Sequence, residues 1–131
     1  CTGDAIRNGN ILSPGNYVSN HSFPPSGVDT LNPGIYCVDA TFMMNAHDRL
    51  VGHDVVIYMV GGNIHWNGQA EIELTAPTSG PFAGLLIYMP MTNDEGIILN
   101  GNMESSLVGT ILAPAFNVRV LASIVIFLCS L

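Results

Sequence analysis

The sequence contains no lysine, and charge of either sign is scarce. Three arginines stand against ten acidic residues, charged side chains make up 10% of the 131 residues, and the formal net charge is −7. A soluble domain ordinarily carries about 25% charged residues. A nucleic-acid interface needs a basic footprint, and Arg7, Arg49 and Arg119 lie too far apart along the chain to form one. Binding to anionic lipid headgroups is disfavoured on the same ground. Hydrophobic residues make up 48%, which excludes an intrinsically disordered chain. Long apolar runs are few. The longest, Val120 to Leu131, has twelve residues, short of the roughly 20 a membrane helix needs. Phosphate-loop, dinucleotide-binding and nucleophile-elbow motifs are missing. No catalytic, cofactor-binding or metal-ligating residue is therefore assigned, and no cofactor is expected.

Cysteine is odd in number: Cys1, Cys37 and Cys129. The chain opens on Cys1 rather than Met, as a processed or excerpted chain does. Two readings of the cysteines stand side by side. In an exported protein, Cys1 and Cys37 would close a disulfide loop worth about 3–4 kcal/mol. Alternatively, all three are buried thiols.

What the sequence does have is turns and short strands. Asn8-Gly9, Ser13-Pro14-Gly15, Pro24-Pro25-Ser26-Gly27 and Asn32-Pro33-Gly34 punctuate the first quarter. From residue 35 on, β-branched and aromatic runs of two to six residues follow one another, each bounded by Gly, Asn, Pro or Asp. Ile35–Val38, Val55–Val60, Ile64–Trp66, Ile72–Leu74, Leu85–Met89, Ile97–Leu99, Thr110–Leu112 and Val118–Val120 are examples. They are too short for helices and read as strands.

An internal repeat organises them. Gly61 to Leu74 matches Asp94 to Leu107 at an offset of 33, carrying Asn67-Gly68 onto Asn100-Gly101. Val55–Met59 matches Leu85–Met89 at an offset of 30, carrying Tyr58 onto Tyr88. Gly84–Pro90 echoes Gly109–Pro114. Repeats of this length without helical spacers predict stacked coils that bury a shared core. The expected fold is all-β, a parallel β-helix (β-solenoid) of about five or six coils of roughly 20–30 residues, occupying residues 1–118, with an atypical apolar tail at 119–131. Asn67, Gly68, Asn100 and Gly101 are its repeated corners, and Tyr58 and Tyr88 are expected to stack in one ladder. Asn-Gly is also the strongest hairpin signal, so an antiparallel sandwich is the competing fold. Unalternating runs such as Val55–Val60 favour the solenoid.

Several constellations invite chemistry. His47-Asp48 and His53-Asp54 repeat a metal-ligand pair six residues apart, but the spacing fits no zinc motif. Asn93-Asp94-Glu95-Gly96 has too few acids for a calcium loop. Glu71 and Glu73 share a strand face, as the paired carboxylates of a glycosidase do, although solvent-facing patterning explains them as well. Trp66, His65, Tyr58 and Tyr88 include the rings a sugar-stacking surface would use.

The order Pro33-Gly34-Ile35-Tyr36-Cys37, Val55–Met59, Asn63–Gly68, Leu74-Thr75-Ala76-Pro77, Gly80–Tyr88 and Gly109–Pro114 resembles the C-terminal β-solenoid region of bacterial Tad/Flp pilus-assembly (TadG-like) surface proteins. The resemblance covers residues 1–118, and residues 119–131 depart from it. It implies an exported, cell-surface or pilus-associated domain with a structural or adhesive role and no catalytic residues. Its partners would be other surface or pilus components, flanking domains or carbohydrate, and not nucleic acid. Pro33-Gly34-Ile35-Tyr36 with Gly109–Ala113 also resembles ice-binding β-solenoids, although the seven threonines form no Thr-x-Thr ladder. A carbohydrate-active β-helix enzyme is the other alternative, with Glu71, Glu73 and Asp54 as its carboxylates.

Overall fold

The structure is a computed structural model that describes residues 1–100, 104–115, 118–120 and 127–129. Sixteen strands carry the described chain: β1 (Ile6–Asn8), β2 (Ile11–Ser13), β3 (Gly15–Val18), β4 (Thr30–Leu31), β5 (Gly34–Asp39), β6 (Phe42–Met44), β7 (Arg49–Gly52), β8 (Val55–Gly61), β9 (Ile64–Trp66), β10 (Glu71–Thr75), β11 (Leu85–Tyr88), β12 (Ile97–Leu99), β13 (Glu104–Val108), β14 (Thr110–Leu112), β15 (Val118–Val120) and β16 (Phe127–Cys129). They form three sheets. Sheet I has the order β1-β2-β4-β7-β10-β13, sheet II β16-β14-β11-β8-β5-β3 and sheet III β15-β12-β9-β6. From β2 on, successive strands go to different sheets, and each sheet gains a strand about once per turn. That is a β-solenoid. Among the described residues every strand pairing between coils is parallel, and only β1 on β2 is antiparallel.

About four turns carry all three sides, fewer than the five or six coils expected. The first turn has β2 and β3, but its third side shrinks to a single bridge between Phe23 and Phe42. The repeat length explains the overcount. In sheet I, Leu12 pairs with Leu31, Thr30 with Val51, Val51 with Glu73 and Glu73 with Ser106. The steps are 31 − 12 = 19, 51 − 30 = 21, 73 − 51 = 22 and 106 − 73 = 33 residues. The 33-residue offset visible in the sequence belongs to one long coil, whose extra length lies in two corner loops, 76–84 and 89–96.

The repeat itself maps onto the registers. Ile64 pairs with Ile97 and Trp66 with Leu99 at offset 33, while Ile57 pairs with Ile87 and Tyr58 with Tyr88 at offset 30. The echo at Gly84 slips at a bulge: Leu85 pairs with Thr110 but Ile87 with Ile111. The Asn-Gly corners are not hairpins, because β9 and β10 lie in different sheets. The left-handed residue there is not Gly68 but Gln69 (φ 68°), matched one coil earlier by His47 (φ 69°). Asn67 Nδ2 donates to Asn45 Oδ1 at 3.2 Å, and Asn100 Nδ2 donates to Asn67 Oδ1 at 3.4 Å, a three-coil amide ladder. Gly101 lies outside the described residues.

Inward side chains fill the lumen. Phe23, Phe42 and Trp66 form an edge-to-face file with centroids 5.0 and 5.2 Å apart, flanked by Tyr36 and Tyr17. Leu50, Ile57, Ile64, Ile72, Leu74, Ile87 and Leu99 complete a continuous core. Burial of such side chains contributes roughly 1.5–3 kcal/mol each relative to exposure. Trp66 Nε1 is buried without a hydrogen-bond partner.

Cys1 and Cys37 form a disulfide across 36 residues of sequence. The expected boundary at residue 118 falls within β15. Of the apolar tail, residues 119–120 and 127–129 are described, as strands pairing with β12 and β14, and the remainder lies outside the described residues.

Candidate functional site

Sheet I exposes its outer face to solvent. Strand alternation turns Leu50, Ile72 and Leu74 inward and Arg49, Val51, Glu71 and Glu73 outward. Parallel pairing then aligns Arg49 with Glu71, and Val51 with Glu73 and Ser106. These residues line a shallow depression of about 370 Å³. Of the three carboxylates named for an enzyme, Glu71 and Glu73 meet there, beside the guanidinium-bearing Arg49. Asp54 does not line the depression; it sits at the sheet I to sheet II corner with φ 56°, and its amide donates to Thr75 Oγ1.

Glu73 Oε2 lies 2.7 Å from His53 Nε2, with both side chains more than half exposed. An exposed pair of this kind contributes about 0–1 kcal/mol. Two coils before Glu73, Asp29 Oδ1 accepts from Thr30 Oγ1 at 2.8 Å and from Asn10 Nδ2 at 2.7 Å. These two bonds, helped by the Arg49 charge, hold its carboxyl below the usual value.

The His-Asp pairs are corners. Asp48 Oδ2 accepts from the Asn45 amide, and His47 occupies the left-handed position of its turn. Among the described residues no three His, Cys, Asp or Glu side chains converge on a common point. Asn93 is not a loop-surface ligand but a buried peg. Its Nδ2 donates to Met59 O at 2.9 Å and Gly62 O at 3.0 Å, and its Oδ1 accepts from the Glu95 amide. Sequence reasoning missed this role, because nothing in Thr92-Asn93-Asp94 separates a buried amide from a solvated one.

The four rings suggested as a sugar platform are dispersed. Trp66 is wholly buried, His65 faces out from sheet III, and Tyr58 and Tyr88 face out from sheet II. The two tyrosines stack with centroids 5.3 Å apart and rings inclined by 20°. Register continues their row to Cys37 on one side and Leu112 on the other. No charged side chain interrupts that row, and Ile35 and Val60 expose apolar surface on the same sheet.

No family model, curated protein or solved structure matches the chain.

Proposed function

We propose that the chain is a non-enzymatic structural or adhesive domain of an exported, cell-surface or pilus-associated bacterial protein. The observation that carries the reading is the uncharged outward row Cys37–Tyr58–Tyr88–Leu112 on a regular sheet. In an acidic chain such a row is a ready contact surface, because apolar and aromatic groups there approach a partner without ionic desolvation. The disulfide supports export, since such bonds persist in oxidising compartments. The test is retention of cells displaying the domain on polystyrene and on insoluble polysaccharide. Retention should fall about tenfold in Tyr58→Ala/Tyr88→Ala, the equivalent of about 1.4 kcal/mol. Equal retention of the double variant removes the adhesive reading.

A carbohydrate-active enzyme is the second reading, favoured by the shared depression of Arg49, Glu71 and Glu73. It requires release of reducing ends from a polysaccharide, lost in Glu71→Gln or Glu73→Gln. The ice-binding alternative has less support. The outward row of sheet I runs Ile11, Thr30, Val51, Glu73, Ser106, with one threonine in it.

A further inference from the structure

We propose that residues 1–8 are a disulfide-held strap over the first coil, and that releasing it opens a β-edge that pairs with the same edge of a second copy. The proposal does not depend on the adhesive reading.

Residues 1–8 do not form a coil. They cross the outer margin of two sheets, along β3 and β2. Gly3 to Ala5 lie along β3, where Ala5 N donates to Asn16 O at 2.8 Å and Asn16 N donates to Gly3 O at 2.7 Å. Ile6–Asn8 then folds back on β2 as the antiparallel β1. The seat is fitted. A Cβ built on Gly15, whose φ is 151°, would stand 2.5–2.6 Å from Asp4 C and Ala5 N, so only glycine lets the strap lie flat.

Little holds the strap besides these bonds and half-buried Ala5, which packs against the core. Every residue of β1 is exposed, so no core burial anchors it. Arg7 ties it to the loop beyond through Ser26 O at 2.6 Å. The disulfide is the remaining anchor, and it reaches past the first coil to Cys37 on the second.

Under the strap the margin is unusual for so acidic a protein. From Asn8 to Val28 there is no Asp, Glu, Lys or Arg. The strap supplies the charges that the margin lacks, Asp4 and Arg7. Short charged edge strands are how proteins block unwanted sheet pairing. A dithiol reductant breaks the Cys1–Cys37 bond by two exchange steps. The reductant ends as a disulfide, and Cys1 and Cys37 each end as a thiol. β1 can then peel away. The vacated β2 edge already accepts an antiparallel strand, so the β2 of a second copy, related by a two-fold axis, fits the same place. The contact is self-complementary and closes at a dimer. The uncharged margin lets two copies of charge −7 meet there.

The test uses the full chain with Cys129→Ser, so that no intermolecular thiol chemistry competes. Molecular mass by sedimentation and hydrogen exchange at the β2 amides that face β1 are followed against concentration. The oxidised protein should stay monomeric with those amides protected. Cys1→Ser/Cys37→Ser, which leaves no free thiol, should lose protection of those β2 amides at low concentration, then double its mass and regain protection as concentration rises. Arg7→Pro, which loosens β1 with the disulfide intact, should double in mass as well, so the outcome does not hang on one variant folding. Ile11→Glu added to either variant should restore the monomer by setting like charges across the two-fold. The proposal is overturned if both strap variants remain monomeric, or if they grow into open-ended assemblies.

Discussion

A buried side-chain amide that gives both its hydrogens to carbonyls of another coil leaves those carbonyls unsatisfied when it is removed. Asn93 does this for Met59 and Gly62, so Asn93→Ala should lower stability by about 1–3 kcal/mol. Chemical denaturation with an unchanged m-value checks it. Tyr36 makes a similar argument through its proton. Its hydroxyl bonds Leu12 O at 2.8 Å and Asn32 O at 2.6 Å inside the core. Burial pushes the phenol well above its ordinary value. The folded state therefore keeps this proton where the unfolded chain has lost it. The stabilisation is fully present below the ordinary tyrosine pKa of about 10 and declines as pH rises above it. Relative to the wild type, Tyr36→Phe should be less stable at neutral pH, and the gap should narrow above pH 10 when denaturation midpoints are compared.

At the scale of the element, the corner after sheet III is set by a stack of amides rather than by a glycine. Asn67 is both donor and acceptor in the ladder from Asn45 to Asn100. Asn67→Ala should cost about 1 kcal/mol. Asn67→Asp should cost more, because its acid faces Asn45 Oδ1 with no proton to give; thermal melts of the two variants give the order. Elements were the best-read level of the sequence. Short β-branched runs predicted strands, and the matches at offsets 33 and 30 proved to be rung partners, Ile64 with Ile97 and Tyr58 with Tyr88. The shorter coils were not legible as repeats. A three-residue strand such as Phe42–Met44 needs only an in-out-in pattern, so nothing compels it to resemble Ile64–Trp66 in residue identity. The third side of the first coil was hidden for a related reason. It is one residue, Phe23, inside a proline-rich turn. Glu71 and Glu73 were placed on one face correctly from strand alternation, but their meeting with Arg49 depends on a register 22 residues away (71 − 49) that no local pattern encodes.

For the whole molecule, the disulfide and the unequal coils matter most. In the chain-entropy model, a bridge closing 36 residues stabilises by about 4 kcal/mol. Reduction should therefore lower the Tm by on the order of 10 °C, measurable by calorimetry with and without a dithiol. The coil lengths bear on mechanics. Strands run across the solenoid axis, so a load along the axis pulls on rungs in sequence instead of shearing them together. Each ordinary coil stores 21 or 22 residues in one rung, and its release should pay out about 70 Å of chain at about 3.4 Å per residue. The 33-residue coil should pay out about 110 Å. Single-molecule extension should then show short steps and one long one, with the slack between Cys1 and Cys37 withheld until the bond is reduced. The two corner loops thus make one rung a longer tether than its neighbours while leaving its place in the stack unchanged.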